Sequence, residues 1–285
     1  MCRTVAPMRR HMIRTALAAA LSAVAASVVA VTGAPAHAAP LGDTARAVEL
    51  PGRLTAADAY AATRPGHTGI VVIDRVTGAT YADRNADTPV WTASTIKLAI
   101  ATDLLNRARS GAITLSPANR ADMHAMLNSS DDEATDRLWF AFAGPDHQTF
   151  NRDFRAFGMT SLAPQRGFTE FYPYWGFQKD TPRDLARLVD YVLTRTAPTD
   201  RAYLIGEMRG VAPDQQWGIK SLPANLAPGN KNGWSDEQGG SVMNSIGFAG
   251  DNQRFVVAIM NNLAGQGGQA QGKVTVSQVA RDLLG

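Results

Sequence analysis

Residues 91–100 read "WTASTIKLAI", with a serine at the head of an apolar helix and a lysine inside it. Around Lys97, the residues Ala93, Ile100, Ala101, Leu104 and Leu105 fall on one side at helical periodicity. Asp103, Asn106, Arg107 and Arg109 fall opposite. Lys97 therefore belongs to the stripe predicted to face the core, and Ser94, three residues earlier, shares its face. Burial disfavours the charged form of a lysine and lowers its pKa. A neutral amine can take the proton of a neighbouring hydroxyl, and an oxygen activated in this way attacks carbonyls. The simpler reading makes Ser94 a helix cap and lets Lys97 snorkel to water. About one S-x-x-K is expected by chance in a chain of this length, so the pair needs support from elsewhere in the sequence.

Composition narrows the field. The first 38 residues pair Arg9, Arg10 and Arg14 with an alanine-rich apolar run, Ala16 to Val31, and end in "APAHA". This is the pattern of a secretory signal with an A-x-A site, and cleavage is expected after Ala38. Arg9-Arg10 adds a weak hint of twin-arginine export. The leader carries four arginines and no acid, so its removal takes the net charge from +3 to −1. The basic balance belongs to the precursor and gives no ground for nucleic-acid binding. No second long apolar run follows, and no membrane span is expected in the mature protein. Cys2 leaves with the leader and is not in a lipobox-like position at the cleavage site. With His67, His124 and His147 widely spaced and no thiol left, neither a metal site nor any other cofactor is expected.

Segments alternate coarsely along the remaining 247 residues, enough for a sizeable core. "HTGIVVIDRVTGATYADR" reads as a hairpin turning at Thr77-Gly78. Helices are predicted over 94–109, 117–127, 131–142, 147–157, from Thr181-Pro182 onward, and over 199–209. Strands are predicted in "QQWGIKSL", "NKNGW", "SVMNSIGFAG" and "RFVVAIMNN", and a final helix over 274–284. The fold class is α/β in the α+β sense: an antiparallel sheet formed by both chain ends with flanking helices, plus an inserted all-helical lobe. One domain over 39–285 is expected, its sheet half about 39–93 and 211–285 and its helical half about 94–210. "GQGGQA" at 265–270 matches a dinucleotide fingerprint, but no parallel β-α unit follows it, and its glycines read as a flexible connection.

Two further stretches join Ser94 and Lys97: Ser130-Asp131-Asp132 in "MLNSSDDEATDRL" and Lys231-Asn232-Gly233-Trp234 in "NKNGW". Taken singly, the first reads as a helix cap and the second as a strand edge or bulge. In this order, S-x-x-K, S-D-x and K-x-G resemble the signature of class A serine β-lactamases and the penicillin-binding D,D-peptidases. "DTPRDLARL", from Asp180, is similar to the helix after the omega loop of class A enzymes. The resemblance covers most of the mature length.

It implies Ser94 as the acylated nucleophile and Lys97 as its proton acceptor, directly or through a water. Ser130 would relay a proton to the leaving nitrogen. Lys231 would hold Ser130 and attract a substrate carboxylate. The backbone N–H groups of Ser94 and Trp234 would form an oxyanion hole. Asp132, Asn232 and Gly233 would contact the substrate. Asp132 stands where the family has asparagine, and Asn232 where it has threonine. Asn232 can still donate through its amide, whereas an ionised Asp132 cannot donate and would blunt Lys97 as a base. The family's omega-loop glutamate follows an arginine by two residues. Here Gly167 and Phe168 follow Arg166, and Glu170 is the candidate that remains, with a surface role as its alternative. The Lys97–Ser130 connection is shorter than in class A enzymes. "FTEFYPYWGF" packs six aromatics into ten residues, as a loop's own small core or as the lining of an apolar or sugar-binding cleft.

The leading function is a secreted serine hydrolase that forms an acyl-enzyme and acts on a β-lactam or a related small-molecule or peptide amide. A D,D-peptidase or esterase of the same fold, and a binding protein without catalysis, are the alternatives.

Overall fold

A computed structural model describes residues 42–167, 169–236 and 240–285. The leader, Cys2, the cleavage after Ala38 and Phe168 lie outside the described residues. The elements in chain order are α1 (Asp43–Ala62), β1 (His67–Asp74), β2 (Thr80–Ala82), β3 (Val90–Trp91), α2 (Ile96–Arg109), α3 (Pro117–Asn128), α4 (Asp132–Phe142) and α5 (Thr149–Asp153). There follow β4 (Ala163–Pro164), β5 (Gln178–Asp180), α6 (Pro182–Thr194), α7 (Pro198–Arg209), β6 (Gly229–Ser235), β7 (Val242–Ala249), β8 (Phe255–Asn262) and α8 (Gln269–Leu284).

The main sheet has the order β2-β1-β8-β7-β6, and its pairs are antiparallel. β1 pairs with β8 from His67↔Asn262 to Asp74↔Phe255, so both chain ends build one sheet. Its strands read as nearly unbroken apolar runs because both faces are covered. Ile70, Val72, Val257 and Ile259 pack with Leu283 of α8 and Leu50 of α1. Val71, Val256, Ala258 and Met260 pack with Leu104 of α2 and Leu188 of α6 on the other face. One residue step along a strand moves a side chain from one core to the other.

Several differences from the sequence-based expectation have local causes. α1 was not anticipated: its apolar positions are sparse, and only Arg46, Leu50, Ala57 and Ala61 are buried. "QQWGIKSL" is a 3-10 turn, Gly218–Ser221, rather than a strand. Gly218 has φ +64, and a Cβ there would lie 2.4 Å from Ser245 Oγ. The Gly218 and Ile219 N–H groups donate to Ser277 and Ser245 hydroxyls instead of to a strand. α2 is buried on nearly all sides through Leu105, and Asp103, expected at the solvent side, is buried and bonded to Arg107. The inserted block is mostly helical but also carries β4 and β5, which join β3 in a second small sheet.

α6 starts as predicted. Thr181 caps it by accepting from the Asp184 N–H, and Pro182 occupies the first turn. Just before it, Asp180 is fully buried. Burial, and then the Asp184 carboxylate beside it, pushes the Asp180 carboxyl up to about 8. The unfolded chain releases this proton near pH ~3.9, whereas the folded chain keeps it. The contribution of Asp180 to stability is therefore complete below that range and is lost as pH rises through about 8. Asp103 (about 7) and Asp83 (about 6) act in the same direction but finish earlier. The gain of Asp180→Asn over wild type is accordingly expected to grow with pH up to about 8 and to hold above it, with a small difference at pH 4. Thermal melts of both proteins across pH 4–9 check this, and a difference that does not grow with pH contradicts it.

Candidate active site

The serine turn is held from two sides. Ala93–Thr95 forms a 3-10 turn leading into α2, with Ala93 at φ 45. The Thr92 N–H donates to the Gln178 carbonyl of β5 (2.9 Å), and the Asn244 amide of β7 donates to the Trp91 carbonyl (2.8 Å). The left-handed Ala93 is the kind of strained backbone that persists only where surrounding contacts over-determine it. β6 passes directly against this turn. A Cβ on Gly233 would lie 2.7 Å from the Thr95 nitrogen, 2.8 Å from the Ser94 nitrogen and 2.9 Å from the Thr92 carbonyl oxygen. Gly233 thus serves by having no side chain, which lets the strand approach the Ser94 backbone.

Ser94 is half-buried and opens onto a cleft of about 350 Å³. Ala93, Asp132, Tyr174, Trp175, Gly176, Phe177, Trp234, Ser235, Asp236 and Gln269 complete its lining. Beneath it, Lys97 is 0% exposed. Its Nζ donates to the Ser130 carbonyl (2.7 Å) and to Asp132 Oδ1, and lies 3.5 Å from Ser130 Oγ. It also sits 4.6 Å from the centre of the Trp175 ring. Burial lowers the Lys97 pKa, while Asp132 pulls it back up.

Ser130 lies between α3 and α4 at φ 62, a conformation that turns its carbonyl to Lys97 and its hydroxyl to Lys231. Lys231 is 1% exposed; its Nζ donates to Ser130 Oγ (2.8 Å) and to the Asn232 carbonyl (2.9 Å). Burial, then the neighbouring Lys97, holds the Lys231 pKa well below the ordinary lysine range. Asp131 is the cap of α4, accepting from the Ala134 N–H (2.7 Å), and Asp132 is the helix's first residue. The Asp132 side chain is 71% exposed and points into the cleft.

Two predicted site residues stand elsewhere. Asn232 is 1% exposed on the strand face opposite Lys231. Its amide N–H groups go to the Gln215 (2.8 Å) and Trp217 (3.3 Å) carbonyls, and its carbonyl accepts from Asn230. It has no donor left for a substrate. Glu170 is exposed and is not among the cleft-lining residues. The loop wall beside Lys97 is aromatic: the Trp175 indole stands over the ammonium, pinned by its Nε1–H to Asp136 (2.7 Å), which also accepts from the Tyr174 hydroxyl (2.5 Å). The cluster 168–177 signalled this wall, whereas nothing in the sequence pattern pointed to Asp136, Asp236 or Gln269. Among the described residues no group of three or more His, Cys, Asp or Glu is placed to hold a metal ion. No helix among them is long and apolar enough to cross a membrane.

An α+β fold with a serine at the head of a buried-lysine helix defines a serine hydrolase of the β-lactamase-like kind. The profile described as "Beta-lactamase enzyme family" matches residues 53–123. A relative in Mycobacterium tuberculosis, named "Putative lipoprotein LppW", is 30% identical over 248 residues, 83% of this chain and 75% of its own length. A β-lactamase of Chitinophaga pinensis superposes with a TM-score of 0.70 at 17% identity, covering 82% of this chain and 98% of that one. An ancestral (GNCA) class A β-lactamase superposes with a TM-score of 0.66 at 20% identity, covering 82% and 98%. The chain belongs to the serine β-lactamase-like superfamily.

Proposed function

We propose that the protein forms an acyl-enzyme on Ser94 with an amide or ester donor and then hydrolyses it. The observation that carries this reading is the convergence of Lys97 and Lys231 on one hydroxyl, Ser130 Oγ, at 3.5 and 2.8 Å beside the Ser94 turn. Lys97 takes the Ser94 proton as the hydroxyl attacks the carbonyl carbon, and Ser130 hands a proton to the leaving atom and recovers one from Lys97. Two of the Lys97 contacts are to acceptors, the Ser130 carbonyl and Asp132, so a neutral amine can donate to both and keep its lone pair. The Ser94 and Trp234 N–H groups receive the developing oxyanion, which the close approach of β6 at Gly233 favours.

The substrate is read from the cleft. Its lining among the described residues includes Asp132 and Asp236 and no Lys or Arg, and Asn232 is turned away. Among the described residues no cation lines the cleft to meet the carboxylate of a β-lactam, and Lys231 is buried. These features favour the esterase alternative, with acyl donors that lack a carboxylate, over both a β-lactam and a D,D-peptide with its terminal carboxylate. A neutral aryl ester should acylate Ser94 at least ~10-fold faster than a chromogenic cephalosporin, roughly the effect of one unfavourable charge contact. Stopped-flow absorbance with intact-protein mass spectrometry measures both. Faster acylation by the cephalosporin restores the β-lactamase reading, and no adduct from either supports the non-catalytic binder.

Glu170→Gln should change neither acylation nor deacylation, because the side chain lies off the cleft. A persistent adduct in that variant alone would return Glu170 to the site.

We also propose export. The leader pattern with cleavage after Ala38 supports it, as does a relative named as a lipoprotein. The mature chain would then be one domain from residue 39 to 285, and N-terminal sequencing of the secreted protein tests that boundary.

A further inference from the structure

We propose that Asp132 is the base that activates the deacylating water. This rests on the acyl-enzyme reading above. Hydrolysing the ester on Ser94 needs a group that removes a proton from a water within reach of the acyl carbon. Among the described residues the loop wall provides none: Trp175 occupies the space beside Lys97, and Glu170 is exposed away from the cleft.

Four other carboxylates can be weighed. Asp136 accepts from both Tyr174 and Trp175 behind the aromatic wall, and Asp131 caps α4. Asp236 lines the cleft, but its two oxygens accept from Ser241 and Gln269. Glu133 is exposed on α4 and does not line the cleft.

Asp132 differs from all of these. It lines the same cleft as Ser94, one of its oxygens accepts from Lys97, and among the described residues its other oxygen takes no hydrogen bond. The family's asparagine at this position could not accept a proton from water, so the substitution that weakens Lys97 as a base adds a base on the solvent side.

The step balances as follows. A water oxygen bonds to the acyl carbon as one of its protons passes to the Asp132 carboxylate. The tetrahedral intermediate then collapses with cleavage of the bond between the acyl carbon and Ser94 Oγ. Asp132 passes its proton to the neutral Lys97 amine across their hydrogen bond, and Lys97 hands it on to that oxygen. The products are a carboxylic acid, which ionises in solution, and the free enzyme.

The test is Asp132→Asn, which keeps an acceptor oxygen for Lys97 and removes the base. Wild type and variant are mixed with p-nitrophenyl butyrate, and the butyryl adduct on Ser94 is followed by quenched intact mass and peptide mapping. The expected result is acylation at least as fast as wild type, with deacylation slowed ~10²–10⁴-fold. Hydroxylamine, a nucleophile that needs little base assistance, should release the trapped adduct from variant and wild type at similar rates. Asp132→Glu, which keeps a carboxylate, should recover part of the deacylation rate.

Asp132→Asn that deacylates at the wild-type rate overturns the proposal. So does a variant that forms no adduct while wild type does, since Asp132 would then serve acylation. Slowed deacylation in Asp236→Asn but not in Asp132→Asn assigns the base to Asp236 and also overturns it. Wild type that neither carries an adduct nor releases p-nitrophenol overturns the acyl-enzyme reading first, and this proposal with it. Asp132 is largely exposed at the first position of its helix, and far-UV circular dichroism separates a misfolded variant from a slow one.

Discussion

Ser94→Ala yields a folded protein that acylating reagents no longer label on the turn before α2, with hydrolysis reduced by at least ~10⁴-fold. Among the described residues the Ser94 hydroxyl has no hydrogen-bond partner, and the residue is half-buried at the cleft wall. Removing one unpartnered oxygen there should change stability by no more than about 0.5 kcal/mol. The turn itself is held by Thr95 Oγ1 on the Thr92 carbonyl (2.7 Å) and by Asn244, none of which the substitution touches. Loss of labelling can therefore be assigned to chemistry rather than to unfolding. Peptide mapping after p-nitrophenyl butyrate decides the matter, and a serine adduct persisting in Ser94→Ala would show another nucleophile.

Lys97→Met should lower acylation ~10²–10⁴-fold, the usual effect of removing a positioned base. Its effect on stability should be small for three reasons. Asp132, left without its partner, is largely exposed, so no buried charge is stranded. Lys231 loses the like charge that disfavours its own protonation. The main loss is the donor to the Ser130 carbonyl, which costs about 1 kcal/mol. Methionine fills similar volume and packs against the Trp175 ring. Tm should move by no more than about 4 °C for a chain of this size. A fall beyond about 10 °C would make Lys97 a structural ion-pair partner, and a near-normal acylation rate would remove it from the proton path.

Ser94, Lys97, Ser130 and Lys231 were legible because their three motifs, in order, resemble a family signature, although each taken singly has a simpler reading. Ser94 and Lys97 share a helix face at a spacing of three, and that periodicity needs no tertiary information. Ser130 stands just ahead of a readable helix start, where Asp131 supplies the cap. Gly233 is explained by a contact the sequence could only hint at, since the atoms it must clear belong to residues 92–95. The sheet of both chain ends was readable from apolar runs at 69–73, 242–249 and 255–260 with helical patterns between them. α1 was not, because a helix with few buried positions lacks the apolar stripe that marks one.

By itself, then, the sequence determined most of the order of the elements and the sheet built from both ends, and three ordered motifs that resemble a family signature singled out Ser94, Lys97, Ser130 and Lys231. The elements follow from periodicity, a property of neighbouring residues, whereas Ser130 and Lys231 rested on the resemblance. Only the tertiary structure decided which way Asn232 faces, that Glu170 lies off the cleft, that Trp175 covers the lysine, and that Asp132 reaches Lys97. Each of these depends on which distant segment is the neighbour in space. Asn232 turns inward because the carbonyls of Gln215 and Trp217 need donors. Trp175 is held in place because Asp136, some 39 residues earlier, accepts from its indole. A buried polar group must find its hydrogen-bond partner, and the folded chain, not the local sequence, determines which partner is within reach.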